Sequence, residues 1–263
     1  MAKVSRRGLF TLDWQKPSGD AAARAEDARR RKARVAARWE PGSPTLLRAL
    51  EPLAGVVCDM AAVGHRMDVL DVGAGDGNVA LEADARGARV AACDITAAMV
   101  DRGMARAIAV DAGVAWQRGD AEDLPYPDER FDVVLSVLGV ALAPRPRRAA
   151  RELVRVLRPG GMLVVASPAP ASLFALASAV PLTWGIEEDA LRHLAGIEAE
   201  VREHPLRLEF ESLGAAWEAV SGPFGLPPDA RERFDAIVTE RSPGPGPIGM
   251  QDRWLLVLAR RPS

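Results

Sequence analysis

The chain has 263 residues, 48% of them apolar and 27% charged, with a formal net charge of −2. That length suffices for one large α/β domain, or one domain with an appended lobe, around a sizeable core, and the composition is ordinary for a soluble globular protein. No apolar run approaches bilayer-spanning length, and Cys58 and Cys93 lie in apolar contexts without CxxC or Cys/His spacing, which argues against a disulfide scaffold and indicates no metal site.

Charge is unevenly spread: residues 1–48 carry 12 Lys+Arg against 5 Asp+Glu, and the remainder is acidic. Ser5-Arg6-Arg7-Gly8-Leu9-Phe10 resembles the opening of a twin-arginine export signal. Thr11-Leu-Asp-Trp-Gln-Lys-Pro17 follows where an uncharged apolar segment belongs, so the expected location is the cytoplasm. Asp20 to Glu40 is rich in Ala and Arg without interior Gly or Pro and is expected to be helical. Without interleaved aromatics it reads as a solvated or self-docking helix in preference to a nucleic-acid grip. A lid that uses Trp14 and Trp39 over a ligand crevice is the third possibility. The organisation expected is a basic arm over 1–42, a ligand-binding core over 43–168, and further helices and closing strands of the same domain over 169–263.

Ser43 to Met60 reads as a helix leading into an apolar strand, Asp68 to Val72. Gly73, Gly75 and Gly77 then make a tight turn into a helix ending near Arg86. A short strand, Arg89 to Cys93, stops at Asp94, and Thr96 is a plausible N-cap for a helix to about Val110. Val114 to Arg118 and Phe131 to Ser136 are further strands, joined by the polar, turn-rich stretch 119–129. A helix from about Arg147 to Leu157 ends at Arg158-Pro-Gly-Gly161, before a fifth strand, Met162 to Ala166. Continuous apolar strands separated by helices imply a parallel sheet covered on both faces. Beyond Ser167 the pattern loosens: helices over 171–180, 187–194, 214–220 and 229–240, one or two strands over 198–211, a Pro/Gly-rich loop over 242–249 and a final strand over 253–259. This third is the natural place for substrate recognition.

The stretch Asp68-Val-Leu-Asp-Val-Gly-Ala-Gly-Asp-Gly-Asn-Val-Ala-Leu81 organises the rest. Glycines free the backbone to take φ > 0 and to approach a ligand, and the N–H groups of the following helix face the same crevice. An acid 21 residues after Gly73, Asp94, also suits a dinucleotide site. Asn78, however, stands where that pattern wants Gly or Ala. Asp94 and Asp120 fall at the carboxyl ends of adjacent strands, and carboxylates there suit a ribose diol and an adenine amino group. Together with Asp71 and Asp76 they would repel a pyrophosphate and welcome a cation.

Five ordered motifs carry a family resemblance: Val69-Leu-Asp-Val-Gly-Ala-Gly-Asp-Gly77, Val90-Ala-Ala-Cys-Asp94, Gly119-Asp-Ala-Glu-Asp-Leu-Pro125, Phe131-Asp-Val-Val-Leu-Ser136 and Leu153-Val-Arg-Val-Leu-Arg-Pro-Gly-Gly161. Over residues 43–168 the chain resembles the class I S-adenosylmethionine-dependent methyltransferases, in particular their bacterial small-molecule branch. The resemblance implies an α/β, Rossmann-like, doubly wound, mostly parallel seven-stranded sheet with helices on both faces and helical insertions on the substrate side. It implies S-adenosylmethionine as cofactor, with S-adenosylhomocysteine as product. It also implies roles for residues: Asp71 with the backbone at Gly73, Ala74 and Gly75, in the turn closed by Gly77, for the methionine moiety; Asp94 for the ribose hydroxyls; Ile95 and Met99 against the adenine; Asp120 for its amino group and the Ala121 N–H for its ring; Ser136 and Leu138 beside the methionine end and the transferred methyl. Asp71 equally suits a structural cap.

Methyl transfer chiefly needs alignment of the nucleophile and exclusion of water, with a base where the acceptor is a hydroxyl or a protonated amine. His193, just after Trp184-Gly185, is the candidate base, although a solvated or structural histidine is the commoner case. Tyr126 is expected to cover the cofactor. Val140 and Trp184 are candidate acceptor contacts, and the apolar start of Gly139-Val-Ala-Leu-Ala-Pro144 suggests an apolar acceptor or a tight cover. Ser167-Pro-Ala-Pro170 lacks the Asn/Asp-Pro-Pro-aromatic signature of amino and nucleobase methylation, so the partner expected is a small molecule, not nucleic acid or membrane. The reading is an S-adenosylmethionine-dependent methyltransferase acting on oxygen or nitrogen; a non-transferring protein that binds the same cofactor, cyclase-like or an inactive partner subunit, and a nicotinamide-dependent oxidoreductase stand as alternatives.

Overall fold

The computed structural model describes residues 21–177, 182, 184–185, 187–194, 197–244 and 246–263. The Ser5–Phe10 motif and Trp14 lie outside the described residues, as do residues 178–180 of the helix expected over 171–180.

Helix α1 spans Ala21–Trp39. The single helix expected over 43–60 is instead two, α2 (Pro44–Leu50) and α3 (Pro52–Met60). Pro52 is the cause: it has no N–H to donate back along a continuous helix, and it fits the first turn of a new one. Ser43 caps α2, its Oγ accepting from the Leu46 N–H at 3.3 Å. There follow β1 (Asp68–Val72), α4 (Asn78–Ala85), β2 (Arg89–Asp94), α5 (Ala97–Ala109), β3 (Ala115–Arg118) and β4 (Phe131–Val137). A 3-10 turn, Gly139–Leu142, leads to α6 (Pro146–Val156). Strand β5 (Leu157–Pro168) starts earlier than expected, because Leu157 already pairs with Phe131 ahead of a register shift. The last third holds α7 (Leu173–Ala177), α8 (Glu187–His193), β6 (Glu198–Phe210), α9 (Leu213–Phe224), α10 (Arg231–Arg241) and β7 (Ile248–Arg260). β6 is one strand, and β7 begins within the expected 242–249 loop because Ile248 pairs with Phe210.

Among the described residues, seven strands form one sheet in the order β3-β2-β1-β4-β5-β7-β6. The five from β3 to β5 are parallel, and β7 runs antiparallel to both β5 and β6. Val69, Leu70, Val133, Val134, Leu163 and Val164 are fully buried between helix layers, which explains their unbroken apolar runs. The chain reverses its direction of winding between β1 and β4, so a crevice opens at their carboxyl ends. The opposite end of the sheet is tied by charge: Asp68 accepts from Arg89 and Arg158 and pairs with Arg130, which holds its carboxyl far below the ordinary carboxylate range. His65 packs against Gly87 at that same end, well away from the crevice.

Candidate active site

Three consecutive odd-numbered glycines take left-handed φ, at +68° (Gly73), +57° (Gly75) and +100° (Gly77). Gly73 also needs its missing side chain for space, since a Cβ there would lie 2.6 Å from the Gly139 Cα. The turns after β1 and β4 thus touch backbone to backbone, which joins the two sides of the crevice. The N–H groups of Gly73 and Ala74 donate to the Cys93 carbonyl at 2.9 and 3.0 Å, fixing the turn to β2. Leu138 lies beside it at φ +65°, a sparsely populated conformation for a side-chain-bearing residue.

The carboxylates converge here. Asp94 Oδ2 accepts from the Gly75 N–H at 3.0 Å, and its Oδ1 from the Thr96 N–H and Oγ at 2.9 and 3.0 Å. Burial nevertheless raises its pKa. Asp71, almost without exposure, accepts from the Ala80 N–H at 3.1 Å and so caps α4 while facing the crevice. Burial above all, then the neighbouring Asp94 charge, pushes its carboxyl up from 3.8 to about 8. Asp120 Oδ1 accepts from the Glu122 N–H at 2.9 Å, a local turn that turns the carboxyl towards the cavity. Asn78 bridges three elements: its Nδ2 donates to the Leu47 carbonyl at 2.7 Å, and its Oδ1 accepts from Arg106 at 2.9 Å.

One cavity of about 1050 Å³, counted to its open mouth, gathers Asp71, Gly73, Ala74, Gly75, Asp94, Ile95, Met99, Asp120, Ala121 and Leu138 from the residues singled out in the sequence. The others are elsewhere. Gly77 starts α4 behind the cavity wall, packed on Trp116. Ser136 is wholly buried, its Oγ donating to the Val72 carbonyl at 2.7 Å and accepting from the Val140 N–H at 3.2 Å. It ties β4 to β1 and does not line the cavity. Val140, also fully buried, supports the turn from behind. Trp184 is buried against His193, with ring centroids 5.3 Å apart. Neither lines the cavity, since α8 packs on α6 and β6, so the assignment of His193 as base and Trp184 as acceptor contact is not supported. Tyr126 packs edge-on against Phe131 at 5.2 Å and is not a cover.

Sequence reasoning missed much of the opposite wall. Lys32, Val35 and Trp39 of α1, Leu47 and Leu50 of α2, Glu122, and Leu142, Ala143 and Pro144 after β4 all line the cavity. Of these, Trp39 and the apolar run that holds Leu142, Ala143 and Pro144 are expected from the sequence. The available signal was the spacing of Lys32, Val35 and Trp39, which share one face of a helix that otherwise reads as a polar arm.

Residues 70–165, which build this crevice, match the family model described as a methyltransferase domain. Over these residues the chain is similar to the class I S-adenosylmethionine-dependent methyltransferases. Protein Rv1405c of Mycobacterium tuberculosis (strain ATCC 25618 / H37Rv) is 40% identical over 133 residues, 50% of this chain and 48% of that protein. The 27-O-demethylrifamycin SV methyltransferase of Amycolatopsis mediterranei (strain S699) is 35% identical over 157 residues, 59% of this chain and 54% of that enzyme. The chain thus spans about half the length of the curated relatives it matches. Among solved structures, BH2331 of Bacillus halodurans C-125 superposes with a TM-score of 0.61 at 23% identity, over 80% of this chain and 99% of that one, a likeness of fold. The methyltransferase family's cofactor is S-adenosylmethionine, and this crevice fits it. The carboxylates Asp71, Asp94 and Asp120 face the cavity beside the glycine turn among mostly apolar groups, with Lys32 the one cation of the described lining, a set suited to a cationic nucleoside without phosphate.

Proposed function

We propose that this methyltransferase moves the methyl group of S-adenosylmethionine to an oxygen or nitrogen of a small molecule with an apolar body. The observation that carries the reading is the two-sided cavity: Asp71, Asp94, Asp120 and the glycine turn on one side, and Val35, Trp39, Leu47, Leu50, Leu142 and Pro144 on the other. The name of the Amycolatopsis mediterranei relative, a 27-O-demethylrifamycin SV methyltransferase, agrees with a small-molecule acceptor. The two buried free thiols, Cys58 and Cys93, suit a reducing compartment such as the cytoplasm.

When bound, S-adenosylmethionine supplies an electrophilic methyl on a sulfonium, with a neutral thioether as leaving group. The chain's own residues have a positioning task. In this reading Asp94 accepts from the ribose hydroxyls, Asp120 from the adenine amino group, and Asp71 with the Gly73–Gly75 backbone holds the methionine end. The apolar wall excludes water and aligns the acceptor, which accounts for most of what in-line displacement needs. Among the described lining residues the titratable groups are Lys32, Asp71, Asp94, Asp120 and Glu122, and all of them already hold protein partners. The acceptor this favours is one that needs least help from a base: an acidic phenol, an enol or an amine that is already neutral.

Thermal melting with S-adenosylhomocysteine and with NAD is the first test. Ligand at ~100 times its Kd adds ~2.7 kcal/mol, or roughly 5–10 °C for a chain of this size. A shift with NAD alone would overturn the assignment. A mass-spectrometric screen of phenols, amines and aliphatic alcohols with S-adenosylmethionine then tests transfer. Methylated phenol or amine products are expected, whereas cofactor binding without any product would favour a non-transferring protein that uses the same site.

A further inference from the structure

In sequence α1 reads as a basic arm, with a lid over the crevice as a further possibility. In the structure its Lys32, Val35 and Trp39 form a wall of the cofactor cavity. The helix is seated by Ala28, which is buried, and by Trp39, whose ring meets Phe224 edge-on at 6.2 Å. Its exposed arginines face outwards, Arg30 and Arg31 paired with Glu26 and Asp27 on the same helix. One cation of this helix turns inwards. The Lys32 ammonium donates to Asp120 Oδ2, in a close contact, and to Glu122 Oε2 at 2.9 Å. Asp120 Oδ1 is already taken by the Glu122 N–H, so Lys32 holds the remaining oxygen of the carboxyl that faces the cavity. Glu122 differs. It is 1% exposed and accepts from the Arg145 N–H at 2.8 Å and the Arg145 Nε at 2.7 Å, so it stays compensated whether or not Lys32 remains.

We propose that Lys32 is a positioning residue of the cofactor site: its ammonium holds the Asp120 oxygen that an adenine amino group needs, and cofactor binding draws it off Asp120 while it stays on Glu122. The proposal rests on the reading of Asp120 as the adenine acceptor. It makes α1 a closed wall in both states, held by Glu122, and makes the cofactor compete with a cation of the protein itself. An ammonium is the stronger partner for a carboxylate than a neutral aromatic amine, so the exchange costs affinity. Because the displaced interaction is a partly exposed ion pair, salt weakens it and thereby favours the cofactor.

The test is calorimetric titration of S-adenosylhomocysteine into the 263-residue wild-type chain, Lys32→Met, Lys32→Arg and Asp120→Asn, at low and at high sodium chloride. Lys32→Met is expected to bind roughly fivefold more tightly than wild type at low salt, the ratio that ~1 kcal/mol of ion pairing gives. Wild-type affinity should rise with salt while that of Lys32→Met stays flat, and Lys32→Arg should keep the wild-type salt response. Asp120→Asn should lose affinity in both salts. Weaker or unchanged binding by Lys32→Met would overturn the exchange and leave α1 a plain structural wall. Unchanged binding by Asp120→Asn would overturn the adenine assignment, and no binding by wild type would overturn the cofactor reading itself.

Discussion

Asp71 gives the sharpest quantitative handle on this site. Its carboxyl is buried, with one hydrogen bond from the Ala80 N–H, and its pKa in the folded chain is about 8 against an ordinary 3.8. Because the folded value is the higher one, the unfolded chain ionises first, and between these two pH values the folded state holds a proton that the unfolded state has lost. Folding stability therefore falls with rising pH, by up to ~1.4 kcal/mol per unit, and levels off above pH 8. Between pH 6 and 8 the loss from this one group is about 2 kcal/mol, or roughly 5 °C in Tm for a chain of this size. Asp71→Asn keeps an acceptor for the Ala80 N–H and removes the titration. Its stability curve, measured by urea denaturation from pH 5 to 9, should lack this slope, so that the variant is the more stable protein at pH 8. Wild-type and variant curves running parallel would refute the burial argument. The same protonation bears on function: the α-ammonium of the bound amino-acid end favours the ionised carboxylate, so S-adenosylhomocysteine binding by wild type should strengthen from pH 6 to 8 and release a proton, seen as a binding enthalpy that depends on the buffer.

Two further variants separate the parts of the cavity. Asp94→Ala strands the Gly75 and Thr96 N–H groups and removes the ribose acceptor; it should lose S-adenosylhomocysteine binding and ~1–3 kcal/mol of stability while keeping the native far-ultraviolet circular dichroism, and full-affinity binding would refute its role. Gly139→Ala places a Cβ 2.7 Å from both the Gly73 Cα and the Val72 carbonyl, backbone atoms that cannot rotate away; a loss of ~1–3 kcal/mol together with cofactor affinity is expected, and a wild-type Tm would show that the two turns do not meet this closely.

What the sequence made legible follows from which features are local. Val69–Val72 and Val133–Leu135 are unbroken apolar runs because both faces of their strands are covered, and the glycine turn, Asp94 and Asp120 sit at strand ends whose positions are fixed once the strands are. The direction of β7 was not legible, since parallel and antiparallel strands of a covered sheet carry the same residues. The α1 wall was hidden for a related reason: Lys32, Val35 and Trp39 lie among arginines, and only the acids at 120 and 122, some ninety residues on, give their face a meaning. His193 and Trp184 misled through sequence proximity. They follow the cofactor core in the chain, but α8 returns to pack on α6 and β6, so a histidine and a tryptophan that read as substrate-side residues meet each other instead.

Two of the carboxyls that face the cavity are compensated by separate means. Burial favours the protonated form of Asp71, and Asp120 is paired with an ammonium carried on α1. A cofactor with a cationic tail and an aromatic amine at its other end replaces each of these in turn: the tail takes the place of the proton, and the amine that of the ammonium. The two exchanges involve different side chains, with Asp71 at the end of β1 and Asp120 beyond the end of β3, and share no hydrogen-bond partner. Their effects on S-adenosylhomocysteine affinity should therefore add. At pH 8, the change for Asp71→Asn combined with Lys32→Met should equal the sum of the single changes within ~0.5 kcal/mol by calorimetry, with the pH dependence abolished by the first substitution and the salt dependence by the second. A large coupling term would mean that protonation and ion pairing are two views of one event, in which docking of α1 sets the ionisation of Asp71.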